Sequence, residues 1–217
     1  PLVELSSPLP YRWLAGHGAL DFANTVAWLR YAAGDHPIPL APYEHLTSYD
    51  RLVDCSKHAG LVDPQVADSL LQEARRLPDD ADRTLERARI LREAIHQVLG
   101  AVAWDEPVSP AMLATLNDHY ADAVSQRRIV ATPDGFILGW SGSDVHLEAP
   151  IWHVSLAAAE LLSSPQVGRV GQCFADLCGF LFLDTSRGGR RRWCDMNHCG
   201  NVAKVRRHRD QARETPA

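Results

Sequence analysis

Four cysteines carry the plainest chemistry in this sequence. Cys173, Cys178, Cys194 and Cys199 fall within 27 residues as C-x4-C-x15-C-x4-C. Thiolates are soft, charged donors, and four of them in a tetrahedron match zinc. Two pairs with a longer loop between them follow the logic of zinc ribbons and zinc fingers. Clustered cysteines in a chain of this size, with no export signal, favour a reducing compartment and a metal over disulfides. One structural Zn2+ is therefore expected. Such sites close at four ligands, so His198 is read as a bystander. Cys55 stands alone on an amphipathic stretch and is expected to be a small buried hydrophobe.

The elements around the cysteines must bring them to one point. Residues 179–183 (GFLFL) read as a strand leaving the first pair, residues 184–189 (DTSRGG) as turn material, and residues 190–193 as a returning strand. The second pair leads into a helix over about 200–212. Cys194 and Cys199 are five apart, about 140° around an ideal helix, so both cannot face one ion from mid-helix. Cys194 is placed in a turn and Cys199 at the helix start, where the helix dipole favours a thiolate.

Arginines crowd this module. Arg190, Arg191 and Arg192 precede the second pair, and Lys204, Arg206, Arg207, Arg209 and Arg213 follow it. Arg206, Arg209 and Arg213 fall within about 60° of one another on a helix, forming one basic stripe. The planar fork of arginine suits phosphate, and several neutralised phosphates supply non-specific affinity. Residues 169–217 hold ten Lys/Arg against five Asp/Glu, while the preceding residues hold twelve against twenty-two. A basic tail on an acidic body suits a polyanion-binding end, and DNA is the expected partner. The bland alternative is a solvated helix face, or a tail docked on the body or on an acidic partner protein.

The larger region reads as helical. A mostly apolar helix is expected over residues 14–29, with Gly16 and Gly18 at its mouth. Thr47 or Ser48 caps a second helix ended by Gly60, and Asp63–Pro64 starts a third. The longest helical pattern runs over 79–104, with Leu85, Ala88, Leu91, Ile95, Val98 and Val102 at three- and four-residue steps. Ser109–Pro110 opens a further helix. Two β-like runs flank Pro133–Asp134–Gly135 as a hairpin, and residues 150–162 return to helix. On the first helix His17, Asp21, Asn24 and Trp28 form one stripe. They could line a ligand pocket for a small-molecule effector, or form a hydrogen-bonded structural network, the commoner use of buried polar groups. His146, Glu148 and His153 make a poor metal set, with a proline between them and loose spacing. No G-x-S-x-G, phosphate loop or H-E-x-x-H occurs, so no enzyme is expected. No apolar run is long enough to cross a bilayer, and no leader pattern is visible; a cytoplasmic protein with no membrane partner is expected.

The stretch Cys178 through Arg187 (CGFLFLDTSR), then 191–194 (RRWC) and 199–204 (CGNVAK), resembles the CGNR zinc-finger family of bacterial proteins. Residues 16–26 (GHGALDFANTV) are similar to the opening of the ABATE domain, which precedes this finger in a family of stress-induced transcription regulators. The resemblance implies Cys173, Cys178, Cys194 and Cys199 as zinc ligands and DNA binding by the basic tail. One departure stands out: the motif's final arginine is Val202 here. The expected fold is a mainly α N-terminal domain with a small β-hairpin (α+β) over 1–165, which senses a ligand or forms a homodimer. A C-terminal treble-clef-like zinc module with four cysteine ligands, over 166–217, follows it.

Overall fold

The computed structural model describes residues 12–29, 38–140, 145–175 and 178–205, with 27–29 and 38–43 described as backbone alone. His17 opens the first helix by accepting the Ala19 N–H on Nδ1 at 3.3 Å. Helix α1 (Gly18–Ala23) follows, then β1 (Val26–Leu29), which pairs antiparallel with β2 (Ile38–Glu44). The single helix expected over 14–29 is thus corrected to one short helix and a strand. Thr25 turns its hydroxyl back to the Phe22 carbonyl, Asn24 sends its amide to a distant segment, and β-branched Thr25 and Val26 favour extended backbone. Trp28 consequently lies on β1 and leaves the helical stripe. Gly18 sits so close to residues 59–61 that a Cβ there would come within 2.9 Å of the Ala59 carbonyl oxygen.

Helix α2 (Tyr49–His58) starts where Ser48 Oγ accepts the Arg51 N–H, and Gly60 ends it at φ 71°. Helix α3 (Pro64–Arg76) is capped by Asp63 on the Gln65 N–H with proline at its first position. The central helix α4 (Pro78–Ala103) buries Leu85, Ala88, Leu91, Ile95 and Val98, the predicted face, while Val102 is half-buried at its end. Helix α5 (Pro110–Ser125) leads into the hairpin of β3 (Arg127–Thr132) and β4 (Gly135–Trp140), and α6 (Ala149–Ser163) returns across the body. Helix α4 packs against α1, α2, α3, α5 and α6.

A 3-10 turn (Pro165–Arg169) then delivers β5 (Val170–Gln172), which pairs antiparallel with β6 (Leu181–Leu183). Val170, Leu181 and Leu183 belong to the same apolar cluster as the helices, so the cysteine segment shares their core. The strand expected to pair with 179–183 was residues 190–193. Its place is taken by β5, upstream of the first cysteine, while 190–193 runs as irregular backbone. One π-helical turn (Met196–Gly200), which carries Cys199, continues as α-helix over 201–205.

Candidate metal centre

The knuckle around the first pair is tied by backbone bonds. The Cys173 N–H donates to the Phe180 carbonyl at 2.9 Å, and the Phe174 N–H to the Arg192 carbonyl at 2.9 Å. The second bond brings the far side of the loop under the first pair. The Cys194 N–H points at Cys173 Sγ at 3.4 Å, the kind of donor that steadies a thiolate. Asp195 then caps the terminal helix through the Asn197 N–H, setting Cys199 one turn into it. Cys194 lies in the turn and Cys199 on the first helical turn, as the 140° argument requires.

The four Sγ atoms lie within 4.8 Å of one another. Cys178 and Cys194 are 3.9 Å apart, Cys194 and Cys199 3.4 Å, and Cys178 and Cys199 4.0 Å. A tetrahedron with Zn–S near 2.3 Å has S···S edges of about 3.8 Å. A disulfide would need about 2.05 Å. The donor set therefore fits one zinc ion and no disulfide. All four positions are filled by protein sulfur, so the zinc is structural. His198 is exposed and outside the group. Among the described residues this is the one such cluster of His, Cys, Asp and Glu. Glu148 instead pairs with Arg87, and His153 packs edge-on to Trp140. Cys55 is buried on α2, and burial pushes its thiol up to about 12.

The loop between the pairs is pinned by Asp184. Its carboxylate accepts the Ser186 N–H at 2.8 Å and the Arg191 N–H at 2.9 Å. Burial opposes its ionisation, but these bonds, the Ser186 hydroxyl and the nearby Arg169 charge outweigh it, and Asp184 titrates below the usual carboxylate range. Arg169 closes the same loop from outside, donating to the Asp184 and Ser186 carbonyls at 2.7 and 2.6 Å.

The structure divides the expected basic surface. Arg190, Arg192 and Lys204 are exposed. Arg192 lies over Phe174, 5.0 Å from the ring centre. Arg191 faces inward instead. Its guanidinium lies 4.3 Å over Phe182 and donates to the carbonyls of Leu14, Trp193 and Cys194 at 3.1, 3.1 and 2.6 Å. It braces the knuckle against the body rather than pointing outward with Arg190 and Arg192. Arg206, Arg207, Arg209 and Arg213 lie outside the described residues. Arg187, not singled out by sequence reasoning, is exposed on the same pinned loop; its place just before the Gly188–Gly189 turn was the available signal.

The stripe on α1 serves the metal segment. Asn24 is buried and pairs with the Leu181 backbone twice, Nδ2 donating to its carbonyl and Oδ1 accepting its N–H, both at 2.9 Å. Asp21 accepts the Ala15 N–H at 3.1 Å, and the Leu183 N–H donates to the Ala15 carbonyl at 2.7 Å. With His17 capping its own helix, these side chains have structural partners. Sequence reasoning missed His96 and Gln172, which converge on the Gly179 carbonyl at 2.8 and 2.9 Å, directly after Cys178. Burial holds the His96 imidazole down to about 3, so it is neutral and donates through Nε2.

A helical body whose core extends into a closed four-cysteine site defines a protein with an integral structural zinc module. Residues 16–165 match the ABATE family model, described as "putative stress-induced transcription regulator", and residues 169–212 match that of the CGNR zinc finger. The chain belongs to the ABATE family and carries a CGNR zinc finger. Neither description is that of an enzyme. No curated protein matches the chain. No helix among the described residues is long and apolar enough to cross a membrane.

Proposed function

We propose that this protein is a cytoplasmic transcription regulator whose zinc module lays a basic surface along the DNA backbone. The observation that carries the reading is the exposure of Arg187, Arg190 and Arg192 on a loop fixed by Asp184 at one end and by the cysteine cluster at the other. A fixed loop presents its guanidinium groups with little ordering left to do on binding, which favours affinity. Lys204 extends the surface onto the terminal helix, and the sequence continues it through Arg206, Arg207, Arg209 and Arg213. Zinc acts at a distance from the phosphates: it orders the loop and contacts nothing itself. Site residues for DNA are Arg187, Arg190, Arg192 and Lys204, with Arg191 positioning them.

A second reading, a protein-interaction module, draws on apolar side chains of the same module. Phe174, Met196 and Val205 are about half exposed, and Val202, at the motif's arginine position, is 59% exposed. Titration of zinc-loaded protein against duplex DNA at several salt concentrations separates the two. DNA binding is expected to weaken linearly on a log–log plot, and Arg190→Ala with Arg192→Ala should reduce the slope by roughly two. Absence of binding at low salt would remove the DNA reading and leave the protein-interaction one.

A further inference from the structure

The hairpin of β3 and β4 stands away from the core with its apolar side chains in water. Its register is unbroken over six pairs: Ile129 faces Leu138, Ala131 faces Phe136, and Val130 faces Ile137. Because side chains alternate across a strand, Ile129, Leu138 and Phe136 share one face. They are 75%, 63% and 79% exposed, and Ile137 on the opposite face is 55% exposed. Its foot is anchored, where Trp140 stacks on Trp152 of α6 at 5.3 Å with Arg127 above it at 4.6 Å. At about 200 Å2 for each fully exposed side chain of this size, the hairpin leaves roughly 600 Å2 of apolar surface in water, the upper end for a monomer.

Charge says what covers it. Arg127 and Arg128 stand at the foot, and Asp134 is exposed at the tip. We infer that this hairpin joins two copies of the chain, the Ile129–Phe136–Leu138 face packing on the same face of the second copy about a twofold axis. Antiparallel packing about that axis sets the tip of each arm beside the foot of the other, so acid meets arginine at both ends. A partner of one charge sign would match one end and oppose the other. The three side chains of that face supply roughly 430 Å2 of apolar surface, about half of the roughly 800 Å2 per partner of a standard stable interface, which suits a weak, reversible dimer. The inference stands apart from DNA binding and rests on neither reading of the zinc module.

Sedimentation velocity on the zinc-loaded full chain, across a concentration series, tests it. A reversible monomer–dimer equilibrium is expected. Ile129→Asp with Phe136→Asp should weaken it by about tenfold or more, with circular dichroism, melting temperature and zinc content unchanged, because both positions lie on the surface. Asp134→Arg at the turn should also weaken the dimer, and adding Arg127→Asp, on the packing face at the foot, should restore it. A monomer at every concentration, or a dimer indifferent to these substitutions, overturns the proposal. Loss of the dimer in Ile129→Asp/Phe136→Asp without rescue by the charge swap keeps the hairpin contact and overturns the tip-to-foot arrangement.

Discussion

Asn24 does with one side chain what a neighbouring strand would do for β6, offering Leu181 both a donor and an acceptor. An amide has the two functions at the right separation; a carboxylate or an alkyl group does not. Asn24→Ala should cost about 2–3 kcal/mol in urea unfolding, since it leaves a buried N–H and C=O unsatisfied. Two titrating residues nearby oppose each other. His96 is held down to about 3, whereas an unfolded chain protonates it near 6.5, so its contribution to stability is complete above pH 6.5 and falls as pH drops toward 3. Burial of Asp21, only partly offset by the Ala15 and Leu14 N–H groups, raises its carboxyl from 3.8 to about 6, so the native state gains as pH falls across that interval. The two slopes nearly cancel between pH 6 and 4. Asp21→Asn should uncover the histidine, losing stability on acidification faster than wild type by up to about 1.4 kcal/mol per pH unit. Comparing the two proteins at pH 6.5, 5.5 and 4.5 isolates this difference, because any contribution from the cysteines is common to both.

At the scale of elements, the zinc module is knuckle, pinned loop and helix, and Arg191 links all three to the body. Lysine cannot reproduce a planar fork that stacks on Phe182 and reaches several carbonyls. Arg191→Lys is expected to lower zinc affinity about tenfold in chelator competition, as other changes behind metal ligands do. Arg190→Lys, on the exposed side, should leave it unchanged. Much of this element was legible in sequence. The cysteine spacing gave the ligands, the 140° argument placed Cys194 off the helix, and the stripe of α4 was read almost residue for residue. The inward turn of Arg191 was not legible, because three adjacent arginines carry no mark of which one faces a ring and a set of carbonyls. Nor was β5: three residues, Val170–Gln172, are too few for a period, and their pairing with β6 spans the whole knuckle. The helix over 14–29 failed because its end is set by Leu181, more than 150 residues away.

Over the whole molecule, apolar burial does not stop where the cysteine region begins. Val170, Leu181 and Leu183 sit in the cluster that includes Leu20, Ile95 and Ile151. Chelation of zinc should therefore reach beyond the knuckle. In hydrogen exchange, removal of the metal is expected to deprotect Leu181, Leu183 and the start of α1, while α3 keeps its protection. Uniform protection in the metal-free protein would contradict that coupling. Were the hairpin to join two copies, each pair would also present two such modules related by a dyad, suited to a DNA site with matching symmetry.

The double bond between Asn24 and Leu181 has a consequence for anyone wishing to graft this finger onto another scaffold. The transplanted piece would arrive with its innermost strand missing the amide that completes it, and the donor left behind would show an apolar scar where β6 had been. Two fragments, 1–165 and 166–217, should each be insoluble alone and should recover solubility and metal together when produced in the same cell.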